Sequence, residues 1–133
     1  MIYGVGTDLV EVDRVRRLLE RYGERFARRV LGPREWVDYE RSVNRAVYLS
    51  GRYAAKEAFA KAFGTGLRHP VSLTNINVTR DPLGKPRLLL EAELEALLVS
   101  HGVTGRHLSV THEQSMACAF VVLEAAGQEG RHG

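Results

Sequence analysis

One long segment, Arg45 to Phe63, constrains the fold of this 133-residue chain more than any other feature. It is rich in alanine and aromatic residues, and alanine has the highest intrinsic helix propensity. Asn44 is a suitable N-cap residue before the segment, and Gly64 is a suitable C-terminal stop after it. The sequence therefore predicts one long central helix, against which the rest of a single-domain chain must pack.

Elements of both kinds are predicted around this helix. Apolar residues at helical spacing predict further helices at about 13–22, around 26–31 and at 91–101. In the first of these, Tyr22 belongs to the apolar face that should point inward. Short apolar or alternating segments bounded by turn residues predict strands at 1–8, 75–80, 87–90, 107–111 and 116–124. The predicted class is α+β with a mainly antiparallel sheet, in a single domain of residues 1–124 followed by a flexible tail, 125–133.

Composition and the first residues exclude several classes of protein. No stretch approaches the roughly 18 consecutive apolar residues of a membrane span. Cys118 is the only cysteine, so neither an intramolecular disulfide framework nor a cysteine zinc cluster can form. The first twelve residues, MIYGVGTDLVEV, lack the basic start and the long apolar run of a signal peptide. We therefore expect a cytoplasmic protein that makes no membrane contact.

Positive charge is concentrated in one window of the chain. Residues 14–29 include seven arginines and two glutamates, so this window carries +5 and the remainder carries −2. Such a concentration favours an anionic partner. Two noncatalytic functions fit it: a small nucleic-acid-binding module and an adaptor that docks an acidic protein. Glu20 and Glu24 among the arginines count against nucleic acid, as does the lack of aromatic residues placed for base stacking.

Asp8, Glu57 and Lys61 are the candidates for chemistry. Glu57 and Lys61 are four residues apart on one helix face, while Asp8 follows Gly4 and Gly6, which allow another backbone or a ligand to approach closely. On local grounds alone, Glu57 and Lys61 suit a surface ion pair and Asp8 suits a helix cap. However, a lone acid among alanine and aromatic residues needs a cation, which Lys61 or a metal could provide. Two carboxylates suit magnesium, which completes its shell with water and phosphate.

Two long motifs give the chain a resemblance to a known family. Residues 4–15 read GVGTDLVEVDRV, and residues 52–66 read RYAAKEAFAKAFGTG. With the shorter motifs GKP at 84–86 and SVTH at 109–112, they resemble the holo-acyl-carrier-protein synthase family, the small bacterial type of 4′-phosphopantetheinyl transferase. The resemblance implies transfer of the phosphopantetheine arm of coenzyme A to a serine of apo acyl carrier protein, with release of 3′,5′-ADP. It also implies dependence on Mg²⁺ and a homotrimer with active sites at the subunit junctions.

The same resemblance assigns roles to residues by matching position. Asp8 and Glu57 would bind magnesium and, with Lys61 as the cation on the phosphates, would form the catalytic group. The implied contacts with coenzyme A are Arg52, Lys56, Lys61, Gly64, Thr65, Gly66, Lys85, Pro86 and His112. Arg14 would face the acidic acyl carrier protein, and the charge window adds Arg21, Arg25 and Arg28 to that surface. The general base is left open between Glu57 and a magnesium-bound water.

Overall fold

The structure, a computed structural model, describes residues 1–127 and consists of five strands and five helices within that range. In chain order these are β1 (Ile2–Glu11), α1 (Val12–Tyr22), α2 (Glu24–Val30), α3 (Trp36–Arg41), α4 (Arg45–Phe63), β2 (Ile76–Arg80), β3 (Pro86–Leu90), α5 (Ala92–Ser100), β4 (Val103–His112) and β5 (Met116–Ala125). A short 3₁₀ turn, Leu73–Asn75, precedes β2.

The main sheet has three strands in the order β1-β5-β4, and both pairings are antiparallel. β2 and β3 form a separate antiparallel hairpin. The long helix α4 packs on β1 and β5, and its buried side chains, including Leu49 and Phe59, form the centre of the core. The predicted α+β class, with a mainly antiparallel sheet and a long central helix, is confirmed.

Two glycines of β1 allow this strand to lie directly on α4. A Cβ atom at Gly4 would lie 1.8 Å from the carbonyl oxygen of Ala62, and Gly6 makes an equally close approach to Ala58. Side chains at these positions of β1 would therefore collide with the helix backbone. The sequence predicts that Gly4 and Gly6 allow close approach of either another backbone or a ligand. In the structure, the backbone of α4 occupies this position.

Helix boundaries set by local signals agree with the prediction. α4 has the predicted limits, and the Asn44 side chain accepts a hydrogen bond from the Val47 N–H at 3.1 Å. By contrast, β1 continues to Glu11 because its pairing with β5 continues to that residue. Asp8 therefore lies within a strand, and its possible use as a helix cap is excluded.

The prediction that Tyr22 points inward is wrong, since this residue is 44% exposed.

Near the C-terminus, β5 extends to Ala125, and the Ala126 N–H donates to the carbonyl oxygen of Gly102 at 3.1 Å. The strand thus runs one residue beyond the predicted domain boundary. The rest of the predicted tail, from residue 128, lies outside the described residues. Within residues 1–127, every helix is too short or too polar to cross a membrane.

Candidate active site

The candidate catalytic residues lie together in a groove between β1 and α4. The Lys61 ammonium group is 3.0 Å from Asp8 Oδ1 and also donates to the carbonyl oxygen of Thr7 at 3.0 Å. Glu57, one helical turn before Lys61, lines the same groove, which has a volume of about 530 Å³. The Asp8 side chain is only 17% exposed. Packing of β1 on α4 thus brings two acids and a cation together from distant parts of the sequence.

Arg14 and Tyr53 complete the wall of the groove around the two acids. Burial raises the pKa of the Tyr53 hydroxyl, and the neighbouring carboxylate of Glu57 raises it further. The positive charge of Arg14 acts in the opposite direction, and the negative charge of Asp8 acts in the same direction as Glu57. The phenol therefore stays protonated at neutral pH and can donate a hydrogen bond to an anion in the groove.

The donor set of the groove suits magnesium. Carboxylate oxygens are the ligands that Mg²⁺ prefers, and this ion commonly takes one or two carboxylates, with water and substrate phosphate in its other positions. Asp8 and Glu57 supply two carboxylates in one groove. Within residues 1–127, histidine, cysteine and acidic side chains form no cluster of three or more that could bind a metal. The pair therefore fits an ion shared with a phosphate ligand, rather than one enclosed by protein.

The predicted carrier-protein residues form an exposed cationic face beside this groove. Arg14 and Arg21 lie on α1, Arg25 and Arg28 lie on α2, and all four are exposed. An apolar cavity adjoins them, lined among others by Phe26 and with Arg25 at its edge. Phe26 also lines the groove that contains Asp8. The cationic face and the acid pair are thus neighbours on one side of the molecule.

The residues predicted to contact coenzyme A fall into separate places. Gly64, Thr65 and Gly66 are exposed and directly follow α4, one turn beyond Lys61. Gly64 and Gly66 have φ angles of 98° and 67°, which side-chain-bearing residues rarely adopt. The Thr65 hydroxyl donates to the Gly66 carbonyl at 2.9 Å. This loop can extend the groove beyond Lys61.

Lys85 and Pro86 lie on the turn and first strand residue of the β2–β3 hairpin, where they line a different cleft together with Arg80 and His107. The Lys85 backbone N–H donates to Asp81 Oδ1 at 2.9 Å, and its side chain is exposed. Within one chain, the hairpin residues therefore do not line the groove of the acid pair.

Arg52 and His112 are brought together on another side of α4. A Cβ atom at Gly51 would lie 2.9 Å from His112 Nε2, so the imidazole covers this helix position. Burial lowers the pKa of His112, and the nearby charges of Arg52 and Arg80 lower it further. Arg52 itself is 4% exposed, and its guanidinium lies over the Tyr48 ring at 4.0 Å. Arg52 is therefore too buried to bind a ligand in solvent, contrary to its predicted contact with coenzyme A, and within one chain neither Arg52 nor His112 lines the groove of Asp8 and Glu57.

The assignment of Lys56 to coenzyme A binding is wrong. Its side chain is wholly buried, and its ammonium group donates to the carbonyl oxygen of Val30 and to Glu35 Oε1. Burial lowers the pKa of Lys56 to about 8, against the opposing effect of the Glu35 carboxylate. A buried cation with these partners cannot reach a ligand in solvent.

Glu35, one of several buried polar residues, is a candidate for function that the sequence motifs do not single out. It lies on the turn before α3 and is wholly buried. A signal for it existed, because Lys56 sits among alanine and aromatic residues and a buried lysine needs an acidic partner.

Comparisons with known proteins identify the family and the fold of this chain. A family model described as the 4′-phosphopantetheinyl transferase superfamily matches residues 4–121. Holo-acyl-carrier-protein synthase of Nitrosospira multiformis is 59% identical over 93% of this chain and 99% of the relative. The crystal structure of the synthase from Neisseria meningitidis is 44% identical and superposes with a TM-score of 0.91, covering 93% of this chain and 99% of that one.

A Bacillus anthracis synthase in complex with coenzyme A (3′,5′-ADP) is 34% identical, with a TM-score of 0.78 over 95% of this chain and 99% of that one. The family match spans both elements of the groove, from β1 through α4 to β5. This chain therefore belongs to the 4′-phosphopantetheinyl transferase superfamily, within its holo-acyl-carrier-protein synthase family.

Proposed function

We propose that this chain transfers the 4′-phosphopantetheine group of coenzyme A to a serine of apo acyl carrier protein. The observation that carries the proposal is that Asp8, Glu57 and Lys61 line one groove beside the exposed cationic face. Acids and a cation are the groups that phosphoryl transfer needs, because its catalysis consists mainly of positioning and charge neutralisation. The cationic face supplies a complementary surface for an acidic protein substrate.

In the transfer, the serine oxygen attacks the phosphorus that bears the pantetheine arm. A new P–O bond forms, the bond from that phosphorus to the ADP portion breaks, and 3′,5′-ADP leaves with the electron pair. Lys61 binds the phosphate oxygens, since its side chain lines the groove and is 54% exposed. Glu57, which lines the groove one helical turn before Lys61, is the carboxylate that takes up the serine proton in this proposal.

Asp8 and Glu57 would hold Mg²⁺ in this groove. When bound, the ion would neutralise negative charge on the phosphate oxygens of coenzyme A. Arg14 stands at the edge of the same groove, where its guanidinium can orient the incoming carrier protein.

Assembly as a homotrimer belongs to the same proposal. Arg52 and His112 lie away from the acid pair within one chain, and Lys85 and Pro86 line a separate cleft. A ligand as long as coenzyme A could contact the acid pair, the hairpin and His112 together if a neighbouring subunit brought its own hairpin and His112 to the groove. The trimer would act in the cytoplasm, since a chain with a single cysteine suits a reducing compartment.

The direct test is an assay of coenzyme A consumption with purified apo acyl carrier protein. We expect Mg²⁺-dependent release of 3′,5′-ADP and a gain in carrier mass equal to one phosphopantetheine arm. A carrier whose acceptor serine is replaced by alanine is the matched control and should gain no mass. Tight binding of the carrier without any consumption of coenzyme A would contradict the proposal and would favour a noncatalytic adaptor.

A further inference from the structure

A buried ion pair joins α4 to the turn between α2 and α3. Lys56 Nζ is 2.5 Å from Glu35 Oε1, and both side chains are wholly buried. Glu35 Oε1 also accepts the Gly32 N–H, and Oε2 accepts the Val78 N–H, each at 2.8 Å. Buried charges are tolerated when their remaining hydrogen-bonding capacity is used in this way. Glu35 therefore ties together the turn, the hairpin strand β2 and the central helix.

Lys56 has a second partner, which lies at the end of α2. Its ammonium group donates to the carbonyl oxygen of Val30, the last residue of that helix. The final carbonyl groups of a helix have no partner within the helix, and a cation placed there is favourable. α2 has only seven residues, too few to be stable by itself. The C-terminal end of α2 is thus held on α4 by Lys56.

The two helices joined in this way, α2 and α4, carry residues with different roles in the proposed reaction. α2 carries Arg25 and Arg28 of the cationic face, and Phe26 of this helix lines the groove with Glu57. Glu57 directly follows Lys56 on α4. The position of α2 relative to Glu57 is therefore set by the buried contacts of Lys56, which neither substrate can reach.

We propose that Lys56 and Glu35 are positioning residues that hold α2 at the distance from Glu57 required to present the carrier serine. This inference rests on the proposed transferase function. Displacement of α2 would shift the whole bound carrier protein, and a misplacement of about 1 Å can cost as much as a hundredfold in rate. Coenzyme A should be little affected, because the residues predicted to contact it lie outside α2.

The first test is Lys56→Met, which keeps the apolar stem and removes the ammonium group. Arg52 Nε lies 4.0 Å from Glu35 Oε2, so a second cation remains beside the carboxylate and supports folding. We expect the KM for apo carrier protein to rise about tenfold or more, while the Kd for coenzyme A, measured by calorimetry, is unchanged. Hydrogen exchange at α2 amides should become faster, with α4 amides unaffected.

Glu35→Gln provides a second variant in case Lys56→Met does not fold. It retains the size of the side chain and one acceptor oxygen but removes the charge that holds Lys56. The same increase in the KM for carrier protein is expected, together with faster exchange in α2. Arg106→Met is the matched control, because Arg106 likewise donates to a carbonyl oxygen, that of Leu88, and to a carboxylate, Glu95, but makes these contacts away from α2. It should lower stability without raising the KM for carrier protein.

Two results would overturn the positioning role. One is faster exchange in α2 with an unchanged KM for the carrier protein. The other is a fall in kcat that tracks the loss of folded protein while both substrate affinities stay normal, which is the signature of a purely structural pair. Failure of the unaltered protein to consume coenzyme A would instead contradict the transferase function itself, so the two failures are distinguishable.

Discussion

A Cβ atom at Gly6 would lie 1.9 Å from the carbonyl oxygen of Ala58. No side chain can be placed at that distance, so β1 and α4 share a surface that only glycine permits on the strand side. Asp8 follows two residues later on the same face of β1, and Glu57 directly precedes Ala58. The contact of Gly6 with Ala58 therefore sets the spacing of the acid pair.

Gly6→Ala should both destabilise the fold and separate the acids. Forcing a methyl group against the helix backbone should cost about 3 kcal/mol, because neither main chain can move without disturbing the core. Denaturant unfolding and coenzyme A turnover measure the two effects. Gly105→Ala is the matched control in the same sheet, since the nearest neighbours of its new Cβ would be side-chain atoms of Glu124, Oε1 at 3.0 Å and Cβ at 3.3 Å, and no backbone atom. A fully active Gly6→Ala protein would contradict this account of the groove.

Asp8→Asn and Glu57→Gln should each nearly abolish transfer without unfolding the protein. Each change removes one charge from the proposed metal site at constant side-chain size, and the loss of a preorganised electrostatic group typically costs about a hundredfold or more in rate. The measurement is turnover at saturating magnesium, with circular dichroism as the check on folding. Near-normal turnover of either variant would refute the metal assignment.

The helices could be predicted best where their signals are local. Asn44 and Gly64 mark the limits of α4 by capping chemistry, and both limits agree with the structure. The end of β1 could not be predicted in this way, because its extension to Glu11 depends on pairing with Met116, more than a hundred residues away. Strand ends follow from the partner strand, whereas helix ends are marked in their own sequence.

The candidate site likewise depends partly on local sequence signals and partly on long-range packing. Asp8, Glu57 and Lys61 could be identified from motifs, but the contact of Lys61 with Asp8 requires the packing of β1 on α4. The resemblance assigns Lys56 to coenzyme A binding by matching position, but sequence alone does not tell which of two neighbouring charged residues, Lys56 or Glu57, points inward. Its buried partner, Glu35, lies in a turn 21 residues away, which helical spacing cannot reveal.

Reversal of charge on the cationic face should weaken carrier binding selectively. The pair Arg21→Glu and Arg25→Glu, which lies outside the groove of the acid pair, should raise the Kd for acyl carrier protein and leave the Kd for coenzyme A unchanged, because exposed arginines act mainly through complementarity with an acidic partner. Binding of the unaltered protein should also weaken with salt, as the Debye length falls from roughly 10 Å at 0.1 M to 3 Å at 1 M. An equal loss of coenzyme A affinity would argue against separate surfaces for the two substrates.

The buried lysine predicts a pH dependence of stability. Because the pKa of Lys56 is about 8 in the folded protein and 10.5 when unperturbed, the unfolded chain binds more protons between these values, and stability rises with pH there. Relative to Lys56→Met, the free energy of unfolding should increase by about 2 kcal/mol from pH 8 to pH 10. Tyr48, whose pKa is raised to about 12 by burial, acts oppositely but only above pH 10. Urea unfolding of both proteins at several pH values measures the difference, and a flat difference would refute it.

The shared active site can be tested by mixing two inactive proteins. Asp8→Asn disables the groove, and His112→Ala disables the residue that a neighbour is proposed to contribute. In mixed trimers, some junctions would combine the intact groove of one subunit with the intact His112 of the next, so about a quarter of full activity should return in an equal mixture. Mixing Asp8→Asn with Glu57→Gln is the control and should restore nothing, because both acids line the groove of a single chain. A fully active monomer by light scattering, or no rescue despite proven subunit exchange, would exclude a site built from two subunits.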